Sequence, residues 1–189
     1  KERLHMSKGT MGAIAAAVIV VLILFTGYNS LVTANENING KWSQVENQLQ
    51  RRNDLIPNLV ATVQGMAQQE KDVFQAVNDA RTKLAGAQGV NETAAANSEL
   101  TGALGRLLMI AENYPTIKSD ASFRQLADEL AGTENRIAVA RRDYNNAVQD
   151  YNTQIKSLPK SLYAGMFGFG ARDYFKADEK AQEVPQVKF

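Results

Sequence analysis

The stretch Leu31–Leu84, LVTANENINGKWSQVENQLQRRNDLIPNLVATVQGMAQQEKDVFQAVNDARTKL, decides the fold. Steps alternating between four and three residues from Leu31 meet Asn35, Ile38, Trp42, Val45, Leu49, Arg52, Ile56, Leu59, Val63, Met66, Glu70, Val73, Val77, Ala80 and Leu84, and thirteen of these sixteen are apolar. A strand would alternate every two residues and a loop would carry no period, so a repeat near 3.5 marks a helix with one buried seam. The phase holds across Pro57. The pattern therefore predicts one helix running to about residue 85, about 80 Å long if straight, with a kink at Pro57 or a restart capped by Asp54. Asn35, Arg52 and Glu70 are the polar seam positions. Arg52 and Glu70 lie about 27 Å apart along one helix, so each needs a partner on another helix or subunit, or an exposed edge. Register-setting polar layers are the simpler reading, ahead of catalysis or ion binding.

N-terminal to the seam, Gly9–Gly27 reads GTMGAIAAAVIVVLILFTG, uncharged and followed by Tyr28. As a helix it spans the thickness of a hydrocarbon core. A cleaved signal peptide is the competitor, with Val32-Thr33-Ala34 as a passable cleavage pattern, but the run exceeds the usual signal core. Lys1, Arg3 and Lys8 precede the span and Lys41 is the first basic residue after it, which points the N-terminus to the cytoplasm and the body outside. Gly12 with Ala16 and Ala13 with Ala17 give a small-residue pattern that would let two such helices approach.

C-terminal to the seam, Gly86-Ala87-Gln88-Gly89 ends the long helix and Asn91 is the expected cap of the next, whose apolar face carries Leu100, Leu104, Leu107, Leu108 and Ala111. It should stop before Pro115. Ser119 or Asp120 caps a third stretch with the seam Phe123, Leu126, Leu130, Thr133, Ile137, Ala140, Tyr144, Val148, Tyr151 and Ile155, ending near Leu158-Pro159. The fold class is all-α: a transmembrane helix at 9–28 after a basic cytoplasmic stretch at 1–8, then an antiparallel bundle of three to four long helices at 29–160. The last part, 161–189, opens on YAGMFGFGARDYF from Tyr163 and closes with Pro185, Val187 and Phe189. Its glycines, Gly165, Gly168 and Gly170, neither follow a strand nor open a helix, so the pattern argues against a phosphate loop. It reads as an aromatic strap packed on the bundle or on a neighbouring subunit.

Composition narrows the chemistry. The 189 residues include no cysteine and a single histidine, His5, which excludes disulfides, Cys or His zinc sites, thiol nucleophiles and a histidine triad in the body. The net charge of +1 divides into +2 before residue 13 and −1 after it. No basic stripe exists for nucleic acid.

Several strings together resemble the LemA family of bacterial membrane proteins: Arg51-Arg52-Asn53-Asp54-Leu55-Ile56-Pro57-Asn58-Leu59-Val60, Glu112-Asn113-Tyr114-Pro115, Glu134-Asn135-Arg136-Ile137, Ala140-Arg141-Arg142-Asp143-Tyr144-Asn145 and Tyr151-Asn152. The resemblance runs from about Tyr28 to Phe189, with Gly168-Phe169 and Tyr174-Phe175 included. Departures are Met66 and Gln69, where the family often has tyrosine and histidine, and Leu158, where phenylalanine is frequent. The resemblance implies one N-terminal membrane helix, a long-helix bundle, no agreed biochemical activity, and a loose association with membrane protease and envelope-maintenance genes.

Three functions compete. The first is a non-enzymatic, self-associating scaffold of the bacterial inner membrane, with the bilayer, further copies and an envelope protein as partners, and no cofactor, metal or small-molecule substrate. The second is a carboxylate-dependent hydrolase, built on Glu70 or Asp143, or an accessory subunit of a membrane protease. The third takes Arg141, Arg142, Tyr144, Asn145, Tyr151 and Asn152 as a recognition patch, although tyrosines at seam spacing are usually core residues. The motif residues to follow are Arg51, Arg52, Asp54, Pro57, Asn58, Glu70, Glu134 and Arg136, together with that patch.

Overall fold

The computed structural model describes residues 8–176, and among these there are five α-helices and no strand: α1 (Lys8–Gln64), α2 (Lys71–Gly86), α3 (Gly89–Asn113), α4 (Pro115–Ser119) and α5 (Ala121–Lys156). Two short 3-10 turns follow, Lys160–Leu162 and Gly165–Phe167. Lys1, Arg3, His5, Pro185, Val187 and Phe189 lie outside the described residues. The chain is an all-α protein that divides into two compact units, one of residues up to 39 with 147–172, the other of 40–146 with the residues from 173 onward.

In the first unit, α1 opens with an apolar run that the chain leaves uncovered, Val18, Val21 and Phe25 among it. It is the one helix among the described residues long and apolar enough to cross a membrane. Below it, Leu31 and Ile38 of α1 and Val148 and Tyr151 of α5 are buried. Gln154 accepts a hydrogen bond from Ser30 at 3.2 Å.

In the second unit, α1 and α5 run antiparallel, as the pairs Lys41–Asp143, Gln48–Arg136 and Arg52–Glu134 require. The expected uninterrupted helix to residue 85 is not what forms. α1 passes through Pro57 without a break and ends at Gln64; the chain then reverses over Gly65–Glu70 and returns as α2. Gly65 has weak helical preference, and at Met66 the backbone bond shortens to the carbonyl of Val63, which closes the helix. Ala67 becomes the buried residue of the turn while Met66 is exposed. The break therefore falls eight residues after Pro57, and Asp54 is no cap; it accepts a hydrogen bond from Gln50 on the exposed side of α1.

α2 resumes the seam at Val77, Ala80 and Leu84, with Phe74 buried where Val73 was expected and Val73 half-buried. α3 packs against it and buries Leu100, Leu104, Leu107 and Ala111. α3 begins at Gly89, whose φ of 74° suits only glycine comfortably, so Asn91 is inside the helix and not its cap. Instead the Gln88 amide donates to Glu92 at 3.0 Å. α3 stops at Asn113, ahead of Pro115, which starts the single-turn α4. Asp120 caps α5, accepting from the Phe123 amide at 2.8 Å.

Candidate functional site

A cluster of buried polar side chains in the second unit is centred on Arg52. Its seam position on α1 turns it toward α3 and α5, where it is 2% exposed. One guanidinium nitrogen, Nη1, donates to Asn97 Oδ1 at 2.8 Å and lies 3.0 Å from Glu134. The other, Nη2, donates to Thr101 Oγ1 at 3.0 Å. The Glu134 contact is an ion pair without hydrogen-bond alignment, since its Oε2 has no aligned donor among the described residues. Burial lowers the guanidinium from its ordinary value, and Glu134 opposes that shift. Asn97 and Thr101 were not singled out from sequence. The signal was present: Asn97 precedes Leu100, Leu104 and Leu107 in the same three-four spacing.

Beside Arg52, Pro57 supplies no backbone donor for the Asn53 carbonyl four residues earlier. Arg81 of α2 fills that place, Nε donating to Asn53 O at 3.3 Å. Asn58 is exposed and its carbonyl accepts from Thr62 at 2.9 Å. Arg51 is exposed and lines an open groove with Arg124, Asp128, Gly132 and Arg136. Arg136 donates to Gln48 at 3.2 Å and Thr133 at 3.0 Å. Glu70, expected in a continuous seam, stands instead at the start of α2, where its carbonyl accepts from Val73 and Phe74 and its side chain makes no cap.

Also in the second unit, the chain from residue 173 is held by side chains of α5. Asn145 uses both ends of its amide on Phe175, donating to its carbonyl at 3.0 Å and accepting from its N–H at 2.9 Å. Tyr144 donates to the Asp173 carbonyl at 2.8 Å. Trp42 lies 5.3 Å from the Tyr144 ring and 6.1 Å from Phe175, and the Arg141 guanidinium covers the Phe175 ring at 4.9 Å. Arg142 remains exposed, 3.8 Å from Asp143.

The first unit repeats the device. Asn152 donates to the Arg172 carbonyl at 2.9 Å and accepts from its N–H at 2.9 Å. The Arg172 side chain reaches Asn35 at 3.3 Å and Asn39 at 2.8 Å, which gives the polar seam residue Asn35 its partner. Tyr151 is buried; desolvation raises its phenol above the ordinary value, with Arg172 pulling the other way. Sequence reading passed over Arg172, because its role depends on Asn35 and Asn39, more than a hundred residues away.

Chemically, these groups bind the chain's own backbone and side chains. An asparagine whose donor and acceptor both engage one peptide behaves as a piece of β-ladder, its amide oriented by the backbone it holds. Among the described residues no three His, Cys, Asp or Glu side chains converge as a metal site.

Residues 41–189 match the sequence model of the LemA family. The chain is also similar to the Magnetosome proteins MamQ 1 and MamQ 2 of Paramagnetospirillum magneticum, each 30% identical over 201 residues, covering 93% of this chain and 74% of the relative. It is 29% identical over 214 residues to the Magnetosome protein MamQ of Magnetospirillum gryphiswaldense, covering 97% of this chain and 78% of that one.

Proposed function

The chain belongs to the LemA family, and from that premise we propose that it is a membrane-anchored, non-enzymatic helical scaffold that self-associates and offers its bundle to partners in the bacterial envelope. The observation that carries this reading is the use made of the motif residues. Arg52 is spent on Asn97, Thr101 and Glu134, and Asn145 and Asn152 are spent on backbone. Residues that could have served chemistry serve packing. Of the two carboxylates considered for hydrolysis, Asp143 sits between Lys41 and Arg142 at 3.8 Å from each, an ordinary surface arrangement.

The apolar start of α1 is the anchor, and the basic residues ahead of it favour a cytoplasmic N-terminus. Self-association is supported by the small-residue pairs of that run and by a shallow groove between α1 and α5, lined by Gln44, Gln48 and the half-exposed Val139. Measuring the mass of the full-length protein in native lipid particles tests the reading. A defined multiple of the 20.7 kDa chain is expected. A monodisperse single chain would refute self-association.

A further inference from the structure

In the first unit, the connection after α5 carries large apolar side chains that the protein does not cover. Leu158, Leu162, Met166 and Phe167 are 76%, 72%, 85% and 51% exposed. Between them, Tyr163 and Ala164 are buried. Backbone bonds from Ser161 to Ser157, Ala164 to Lys160 and Phe167 to Tyr163 keep a near-helical winding, so residues four apart share a side. The segment is thus two-faced, with Leu158, Leu162 and Met166 outward and Tyr163 inward.

Contacts fix where it lies on α1. Tyr163 covers Gly27 so closely that a Cβ there would collide with its hydroxyl. Phe167 meets the Tyr28 ring edge-on at 5.4 Å and borders Val21, Leu24 and Phe25 in a cleft. Phe169 meets Tyr28 at 5.6 Å. These α1 positions are the last two turns of the uncharged run that ends at Gly27, together with Tyr28 directly after it. Lys160, the charged residue within 158–167, is drawn aside onto Ser30 at 2.8 Å and Gln154 at 2.6 Å.

We propose that residues 158–167 form a second membrane contact, an interfacial wedge that sets Leu158, Leu162, Met166 and Phe167 into the phospholipid leaflet where α1 emerges. The occupant is lipid because the exposed face is continuous, through Phe167, with the apolar surface of α1. A group packed on the last turns of a span shares that span's solvent, and there an outward Met or Leu is favourable where in water it is costly. The proposal rests on the start of α1 being a membrane span.

The chain has no cysteine, so single-cysteine variants of the full-length protein each report one position. Spin labels would be placed by Leu162→Cys, Met166→Cys, Val21→Cys and Met109→Cys in vesicles of phosphatidylethanolamine and phosphatidylglycerol. Collision with oxygen is then compared with collision with a water-soluble nickel chelate. Expected is oxygen preference at 162 and 166, shallower than at 21, with nickel preference at 109. Nickel preference at 162 and 166 with a deep label at 21 overturns the wedge alone. Nickel preference at 21 as well overturns the span itself. Shielding of 162 and 166 from both reagents, with spin–spin broadening, overturns the lipid contact in favour of a second copy.

Discussion

Arg81 Nε donates to the Asn53 carbonyl at 3.3 Å, and that carbonyl is the one Pro57 deprives of its helical amide. A proline inside α1 is thereby compensated from α2, which couples the turn chemistry of one helix to the packing of its neighbour. Arg81→Ala should cost about 1 kcal/mol, the worth of one hydrogen bond with the orphaned acceptor partly reached by water. In a Pro57→Ala background the restored amide takes over the carbonyl, and the same Arg81→Ala change should cost measurably less. Urea titrations of the four proteins in detergent supply the double-mutant cycle. Equal costs in both backgrounds would show that Arg81 acts through something other than Asn53.

Arg52 distinguishes a neutral partner from a charged one. The Glu134 side chain is 41% exposed as a whole and its inward Oε2 meets Arg52 without hydrogen-bond alignment, whereas Asn97, 3% exposed, makes an aligned bond. Asn97→Ala leaves a buried guanidinium donor unpaired and should destabilise by about 2 kcal/mol; Glu134→Ala should cost about 1 kcal/mol. Chemical denaturation at low and at 0.5 M salt checks both values, and the Glu134 effect should shrink with salt while the Asn97 effect does not. A larger cost at Glu134 would make the ion pair the principal contact.

The asparagine clamps allow a local readout. Asn145→Ala should release amide protection at Phe175, and Asn152→Ala at Arg172, each by one to two orders of magnitude in hydrogen exchange. That factor corresponds to about 1–3 kcal/mol for the paired bonds. Substitution by aspartate, which accepts from the N–H but faces the carbonyl with no donor, should be at least as damaging. Unchanged exchange at both amides in the alanine variants would mean that the aromatic contacts alone hold the strap.

How much of this was legible in advance follows from the kind of information each feature needs. The all-α class, the buried seam at Val45, Leu49, Ile56 and Val63, and the stop before Pro115 depend on local period and on proline's own geometry, which the sequence displays directly. The reversal at Gly65–Glu70 was hidden because Val63 and Val77 are two whole heptads apart, so the seam resumes in phase after the turn and imitates an unbroken helix. The need of Arg52 for a partner on another helix was readable from its seam position. Which residues answer it was not, because Asn97 and Thr101 meet Arg52 only once α3 is folded beside α1. Asn145 and Asn152 stand out as polar residues near a tyrosine seam, but their target is backbone, which leaves no side-chain signature.

Tyr151 gives the stability an alkaline edge. Burial raises its phenol above the ordinary value of 10.0, so the folded state favours the neutral form. A raised value contributes stability that is fully present below the unfolded value and is lost as pH climbs through the folded one. Stability should therefore hold to about pH 9.5 and then fall, with the loss continuing above pH 10 as the phenol is forced to ionise in a buried place. In Tyr151→Phe that part of the slope disappears, because nothing ionises there. Arg172 works against the shift, so Arg172→Met should steepen the loss by leaving desolvation unopposed, over and above the pH-independent cost of losing its bonds to Asn35 and Asn39. Unfolding midpoints between pH 8.5 and 11 for the three proteins test this, and a slope unchanged in Tyr151→Phe would assign the alkaline loss to other groups.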